Sequence, residues 1–324
     1  MGSLDGGRPG AGPTVSVVVA VRGNIAALEG LAAAVHSQSI GTEIELIVVD
    51  NHQVPALAQG AVRLGPMACR VVHEPIPGLS QARNTGIRAS RGDFVLITDP
   101  DARPTAGWAA AMVRALECTG AYMAGGRVVP RFTGTSLAGM SPELLQWFVP
   151  PRWPDVTVEL AAPYWVVGCN LGFRRLPQPR FDTRLGVVER RHLSCEEWEL
   201  AVRAQRDGLR VVVVPDAVAH RAIHPADLTT RAVAARAWWH GVSVARLLAI
   251  HPDAEIYDSD RLRDTVTRSR LGRPAGWQVA VADVLRIVGL RVERRRLSRT
   301  GLSVLAEDRS TATRQDFLEG IDHG

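Results

Sequence analysis

The sequence predicts an α/β fold: a mixed, mostly parallel sheet flanked by helices, with a helical extension at the C-terminal end. Three observations carry the expectation. Short apolar runs rich in β-branched residues alternate with stretches of helical spacing through the first hundred residues. Those runs are continuously apolar, as expected of strands covered on both faces. Beyond Pro225 the chain turns to long stretches of helical periodicity.

The elements follow in order. Val15 to Val21 is the first strand, and Ile25 to Gln38 carries apolar residues at helical spacing. Ile44 to Asp50 is the second strand, Cys69 to His73 the third, and Gly78 to Ser90 a helix. Phe94 to Thr98 is a buried strand bounded by Gly92 and Pro100. Thr133 to Pro163, rich in Pro and Trp, reads as a loop-rich segment over the crevice. Regularity returns at Tyr164 to Arg174, in a helix around Glu196 to Asp207 and in a strand from Arg210 to Val214. Ala226 to Ile250 and Trp277 to Val292 are helical, and Asp283 and Arg286 mark the second as a packed amphipathic helix. The expected division is a disordered tail at 1–13, a main α/β domain at 14–225, a helical extension at 226–306 and a polar tail at 307–324.

Composition narrows the function. With 324 residues and 46% apolar content the chain buries a substantial core. Its net charge is +5 and every basic residue is Arg, a good bidentate phosphate ligand. The balance favours anionic ligands or membrane surfaces. Nucleic acid is not expected, because no Arg stripe interleaves with aromatics. The four cysteines are scattered and form no C-x-x-C pair, which points to a reducing cytosol. No apolar run approaches the roughly eighteen residues of a membrane span, and the N-terminus carries no apolar signal core. The expected location is cytoplasmic, with peripheral contact at the inner membrane face left open by the basic segment Arg286 to Arg299.

The chemistry starts at Asp99-Pro100-Asp101, directly behind the buried strand. Two carboxylates two residues apart suit one hard cation and the phosphate oxygens it neutralises. In a parallel sheet, ligands bind beyond the carboxyl ends of the strands, so Asp50 and Asp99 belong to one crevice. The first strand continues as VAVRGNIAAL, neither G-x-G-x-x-G nor a P-loop, which disfavours a dinucleotide oxidoreductase.

Six features then occur in a fixed order. They are the first strand running to Asn24, a second ending in Asp50, GLSQARNTGIRASRG, Asp99-Pro100-Asp101, VGCNLGFRR, and the run FDTRLGVVERRHLSCEEWELAVRAQRDGLRVVVVPDAVAHR. Over about residues 14 to 245 this order resembles a bacterial, soluble, inverting family-2 glycosyltransferase with the GT-A fold. The resemblance implies a metal-dependent transfer of a sugar from a nucleotide-diphosphate donor, UDP-sugar favoured, to an acceptor hydroxyl.

Residue by residue, the resemblance implies a set of roles. Val21, Asp50, Arg83 and Asp99 would contact the nucleotide, Asp50 through the base and Arg83 through the base or diphosphate. Asp101 would bind Mn²⁺ or Mg²⁺, and His220 would complete the metal site, which favours Mn²⁺. Gly168 and Asn170 would lie near the donor sugar and acceptor. Glu197, or Glu196 beside it, would act as general base on the acceptor hydroxyl, which must lose its proton as the new bond forms. On a helix Glu196 and Glu199 share a face, while Glu197 points about 100° away. Asn84 and Gly86 serve the backbone rather than the ligand. Trp147, Trp153, Trp165, Trp238 and Trp239 are packing residues or a stacking platform.

Two departures from the family pattern bear on this. Val21-Arg22-Gly23-Asn24 replaces the usual Pro and aromatic, leaving UDP, dTDP and GDP open, and a Glu stands where the base is usually Asp. The acceptor is a small molecule, a glycan or a lipid-linked compound. Two other readings are a catalytically silent nucleotide-sugar-binding protein and a sugar nucleotidyltransferase. The acidic cluster at Glu196 to Glu199 argues against the first, and the missing Gly-rich signature against the second.

Overall fold

The computed structural model describes residues 14–23, 25–38, 41, 43–134, 148, 152–161, 164–254 and 276–301. The expected tails, Asn24, most of the Pro/Trp-rich segment and Trp147 lie outside the described residues.

Among the described residues ten strands form one sheet: β1 (Val15–Val21), β2 (Ile44–Asp50), β3 (Gly60–Leu64), β4 (Met67–His73), β5 (Phe94–Thr98), β6 (Ala102–Pro104), β7 (Met123–Phe132), β8 (Val158–Glu159), β9 (Asn170–Arg174) and β10 (Val211–Ile223). Their order is β3-β4-β2-β1-β5-β9-β7-β10-β6, with β8 on β10. β4, β2, β1, β5, β7 and β10 run one way, and β3, β9, β6 and β8 the other. The helices are α1 (Leu28–His36), α2 (Leu79–Ala89), α3 (Trp108–Thr119), α4 (Glu196–Arg206), α5 (Thr230–Ile250) and α6 (Gly276–Thr300).

Strand alternation divides the core. Val15, Val17 and Val19 join Leu46, Leu96 and Trp108 on the α1/α3 face. Val18 joins Ile47, Ile97, Ile87 and Leu200 on the α2/α4 face. Both sets are buried, which is why these strands read as unbroken apolar runs. The ARNTG motif serves this packing. A Cβ on Gly86 would lie 2.2 Å from Val18 Cγ1 and 2.9 Å from Val49 Cγ2, so the glycine lets α2 approach the sheet. Asn84 accepts from Phe181 N–H (2.8 Å) and donates to its carbonyl (2.9 Å).

The pairing positions the crevice. Val21 lies opposite Asp50, and Thr98 opposite Asn170, so Asp99 and the Gly168–Cys169 turn meet at one end of the sheet. α5 and α6 pack as a pair. A Cβ on Gly241 would lie 2.0 Å from the Arg286 carbonyl, and one on Gly289 2.5 Å from the Trp238 carbonyl.

One sidedness is reversed. α6 is a helix as expected, but Asp283 (9% exposed), Arg286 (5%) and Glu293 (4%) face inward. Val281, Val284, Val288 and Val292 are exposed instead. The polar residues turn inward because the partner surface is ionic: Arg246 of α5 pairs with Glu293 at 2.9 Å.

Candidate active site

Arg83, in the second turn of α2, is the hub. Its guanidinium is 1% exposed and donates to Glu196 Oε1 (2.8 Å), Asp99 Oδ1 (3.1 Å) and the Gly168 carbonyl (2.9 Å). It also lies 5.4 Å from the centre of the Phe181 ring. Burial alone would ease proton loss, but Asp99, Glu196 and Glu197 outweigh it and hold the group charged. The sequence-based role for Arg83 was direct contact with the nucleotide. The structure instead uses its two terminal nitrogens internally, to bind the D-x-D corner to the acidic helix, and leaves the buried Nε without a partner.

That helix is aimed by its own start. Cys195 adopts a left-handed backbone (φ 68°), and the chain turns directly into α4. Carboxylates in this first turn are favoured by the helix dipole. Glu196 goes to Arg83, whereas Glu199 goes to Arg203 (2.9 Å) and His251 (3.1 Å). Glu197 points to the Gly168 turn and accepts its N–H at 3.3 Å through Oε1. Its Oε2 is enclosed and has no hydrogen-bond partner. Burial, reinforced by the neighbouring Glu196 charge, pushes the Glu197 carboxyl up to about 8. A Cβ on Gly168 would lie 3.0 Å from Arg83 and 3.2 Å from Glu196, so a side chain there would press on the bridge by a few tenths of an ångström.

Asp101 sits half-buried across from Asp99. Burial and the Asp99 charge raise its carboxyl, while Arg221 and His224 oppose the rise. Thus Asp99, Asp101, Arg83, Gly168, Glu196 and Glu197 converge.

The other expected site residues do not. Asp50 is fully buried. It accepts from His52 N–H (3.2 Å), the His52 ring (2.6 Å), Ala56 N–H (2.7 Å) and Leu57 N–H (2.8 Å). Burial would raise its carboxyl, but these donors hold it low. Asp50 therefore ties down its own following loop, with no oxygen left for a nucleobase. The Val21 side chain is 1% exposed within the core, and its carbonyl accepts the Asn51 N–H at 2.9 Å. Asn170 is a buried clasp: it accepts from Trp108 Nε1 (2.7 Å) and donates to the carbonyls of Arg127 (2.9 Å) and Ala217 (2.8 Å).

His220 is also displaced. It pairs with Arg103 across β6, and Arg103 reaches the Ala27 carbonyl (3.1 Å) on the α1 side of the sheet. Neighbouring residues on a strand face opposite ways. Arg221, one residue on, therefore faces Cys169, Asp99 and Asp101, whose charges act on it. Period-two alternation along Val218 to Ile223 is the signal that separates His220 from Arg221. Arg221, Arg236 and Phe181 lie beside the site and are not singled out by sequence reasoning, whereas His224 was expected there as a structural or acceptor-side residue. Among the described residues, no group of three His, Cys, Asp or Glu side chains is placed to hold a metal ion. Trp153 packs partly buried against two of the cores.

Residues 16–174 match the family model described as glycosyl transferase family 2. No curated protein sequence matches the chain. Similar solved structures include S. aureus TarS 1-349 in complex with UDP, at 13% identity over 89% of this chain and 92% of that one, TM-score 0.46. Another is the mannosyltransferase PcManGT from Pyrobaculum calidifontis with GDP-Man and Mn²⁺, at 17% over 95% and 83%, TM-score 0.47. A third is GalNAc-T7 with UDP, GalNAc and Mn²⁺, at 15% over 77% and 53%, TM-score 0.46. Residues 16–174 therefore form a glycosyl transferase family 2 domain, and the chain is a glycosyltransferase whose D-x-D corner and acidic helix share one crevice.

Proposed function

We propose that the enzyme transfers a sugar from a nucleotide-diphosphate donor to an acceptor hydroxyl by single displacement, with inversion, and that Glu197 is the base. The observation that carries this reading is the unpartnered Oε2 of Glu197, enclosed beside the Arg83–Glu196–Asp99 bridge. A base must be poised near the working pH, and a carboxyl raised to about 8 is poised there. Glu197 takes the acceptor proton as the oxygen bonds to the anomeric carbon. The sugar–phosphate bond breaks on the opposite face, which inverts the centre. Glu196 is already committed to Arg83, so it orients rather than accepts.

Asp101, with the free oxygen of Asp99, would hold a divalent cation. The fit is that of Mg²⁺ or Mn²⁺ bound by one or two carboxylates and completed by diphosphate and water. When bound, the ion neutralises charge on the departing diphosphate. The preference for Mn²⁺ rested on His220 and falls with it. UDP-sugars are the first donors to test, ahead of dTDP and GDP sugars.

No helix among the described residues is long and apolar enough to cross a membrane. The exposed valines of α6, with exposed Arg291, Arg294, Arg295 and Arg299 at its end, suit peripheral contact with an anionic bilayer. Arg286 is buried and takes no part. Such contact places a lipid-linked acceptor within reach, and sedimentation with anionic but not neutral vesicles tests it.

The test of the transfer reading is turnover of a panel of nucleotide sugars with and without EDTA. Glu197→Gln is expected to keep donor binding and lose about 10²-fold or more in turnover. Full activity in that variant removes Glu197 as the base, and turnover indifferent to EDTA removes the metal.

A further inference from the structure

We propose that Arg103 is the positioning residue of the Asp99-Pro100-Asp101 turn and sets how tightly that turn grips a divalent cation. The inference rests on the reading of Asp101 as a cation ligand. Asp99 to Ala102 close a four-residue turn, with the Ala102 N–H on the Asp99 carbonyl at 3.0 Å and Pro100 as its second residue. The Asp101 carbonyl receives the Ala222 N–H of β10 at 3.3 Å. The two carbonyls left over are both taken by Arg103, whose Nη1 donates to Pro100 (2.9 Å) and Ala102 (2.7 Å). Its Nη2 reaches the carbonyl of Ala27, just ahead of α1, at 3.1 Å. One half-buried fork thus joins the turn that carries the carboxylates to the connection that leaves β1.

The bond to Pro100 is the one that aims Asp101. Proline fixes its own φ but not its ψ, and ψ turns the peptide plane that leads into Asp101. Holding the Pro100 carbonyl holds that plane, and with it the direction of the Asp101 side chain. A small hard cation demands nearly ideal ligand geometry, so the plane matters to affinity. α1 is shaped to receive the fork. Gly30 lies in its first turn, and a Cβ there would stand 2.8 Å from both Nε and Cζ of Arg103, so the guanidinium lies across the bare glycine.

Losing Arg103 has two effects of opposite sign. Its charge acts on Asp101, so removing the charge alone would tighten cation binding. Freeing the peptide plane would loosen it. The charge is half-exposed and screened, so the geometric effect wins. The experiment titrates Mn²⁺ into the full chain, with and without UDP, and follows the free ion by electron paramagnetic resonance. Wild type, Arg103→Met, Arg103→Lys, Gly30→Ala and Asp101→Asn are compared, and amide hydrogen exchange is read at Ala102 and Ala222. Arg103→Met is expected to weaken Mn²⁺ binding about tenfold or more and to speed exchange at both amides. Arg103→Lys, which keeps the charge and a donor group, recovers part of both. Gly30→Ala displaces the fork and is expected to weaken Mn²⁺ binding severalfold while Tm holds or rises, since alanine is the better helix former. General loosening of the fold cannot produce that split.

Mn²⁺ held by Arg103→Met as tightly as by wild type, or more tightly, overturns the proposal. So does weakening that tracks Tm in the Arg103 variants while Gly30→Ala binds normally. Should Arg103→Met not fold, Arg103→Lys and Gly30→Ala decide by the same criteria. Asp101→Asn that binds Mn²⁺ like wild type removes the cation from the corner and takes the proposal with it. Asp101→Asn that loses Mn²⁺ while Arg103→Met keeps it sinks the positioning role alone and leaves the cation reading standing.

Discussion

Glu197 is held in the folded protein as a carboxyl that resists ionising. Its raised pKa has two consequences with definite signs. For catalysis, the base form appears only as pH rises through about 8, so kcat/KM is expected to climb between about pH 6.5 and 8.5. A profile flat over that range would place the base elsewhere. For stability, the folded state binds this proton more tightly than the unfolded chain does. Its contribution is fully present below the unfolded value near 4.5 and is lost as pH rises through about 8. Glu197→Gln, which cannot ionise, is therefore expected to raise Tm relative to wild type at pH 8.5 and to leave it nearly unchanged at pH 4.5. Arg83 makes the opposite case. Arg83→Met keeps the bulk of the side chain but strands Asp99 and Glu196, at a cost of about 3–5 kcal/mol. Chemical denaturation measures it, and a loss under about 1 kcal/mol would mean that water replaces the guanidinium.

At the scale of elements, legibility followed physics. β1, β2 and β5 are readable because both their faces are buried, which leaves unbroken apolar runs. The pattern of β6 is not: three residues with a terminal proline carry no period. β7 is hidden by Gly125 and Gly126, which are there because Val166 and Asn170 press against the strand. Residue roles were harder still. The D-x-D corner and the acidic helix were legible as motifs, but Asp50 and Asn170 bear the same residue types for architectural reasons. Only their hydrogen-bond partners reveal it. Gly86 shows a motif residue acting through packing. In a helix, Gly86→Ala should gain about 1 kcal/mol of propensity. Against that stands a methyl 2.2 Å from a Val18 side chain whose χ1 is stiff and buried. Overpacking costs about 1–3 kcal/mol, so a net loss in Tm is expected. A stabilised Gly86→Ala would show that α2 shifts freely on the sheet.

Across the whole molecule, the α5–α6 pair is wired into the catalytic body. Arg246 pairs with Glu293 of α6 at 2.9 Å, with both side chains nearly fully buried, and also donates to the Arg184 carbonyl at 3.2 Å. Leu185, next in that loop, receives the Ser80 hydroxyl of α2 at 2.7 Å. Ser243 of α5 accepts the Ser194 N–H at 2.9 Å, just ahead of the strained Cys195 that aims α4. His251, at the end of α5, bridges Glu199 (3.1 Å) and Arg206 (2.7 Å), both on α4. Helices 2 and 4, which supply Arg83 and Glu197, therefore share supports with the C-terminal pair. Breaking the buried ion pair by Glu293→Ala should cost about 3–5 kcal/mol. The wiring predicts how that loss is expressed. Calorimetry should show one transition moved down as a unit, and turnover below the new Tm should fall with little change in donor KM, because α4 loses its aim before the nucleotide corner is disturbed. Two separate transitions, with the upper one at the wild-type Tm and activity intact between them, would mean that α5 and α6 are an appendage the catalytic body does not need.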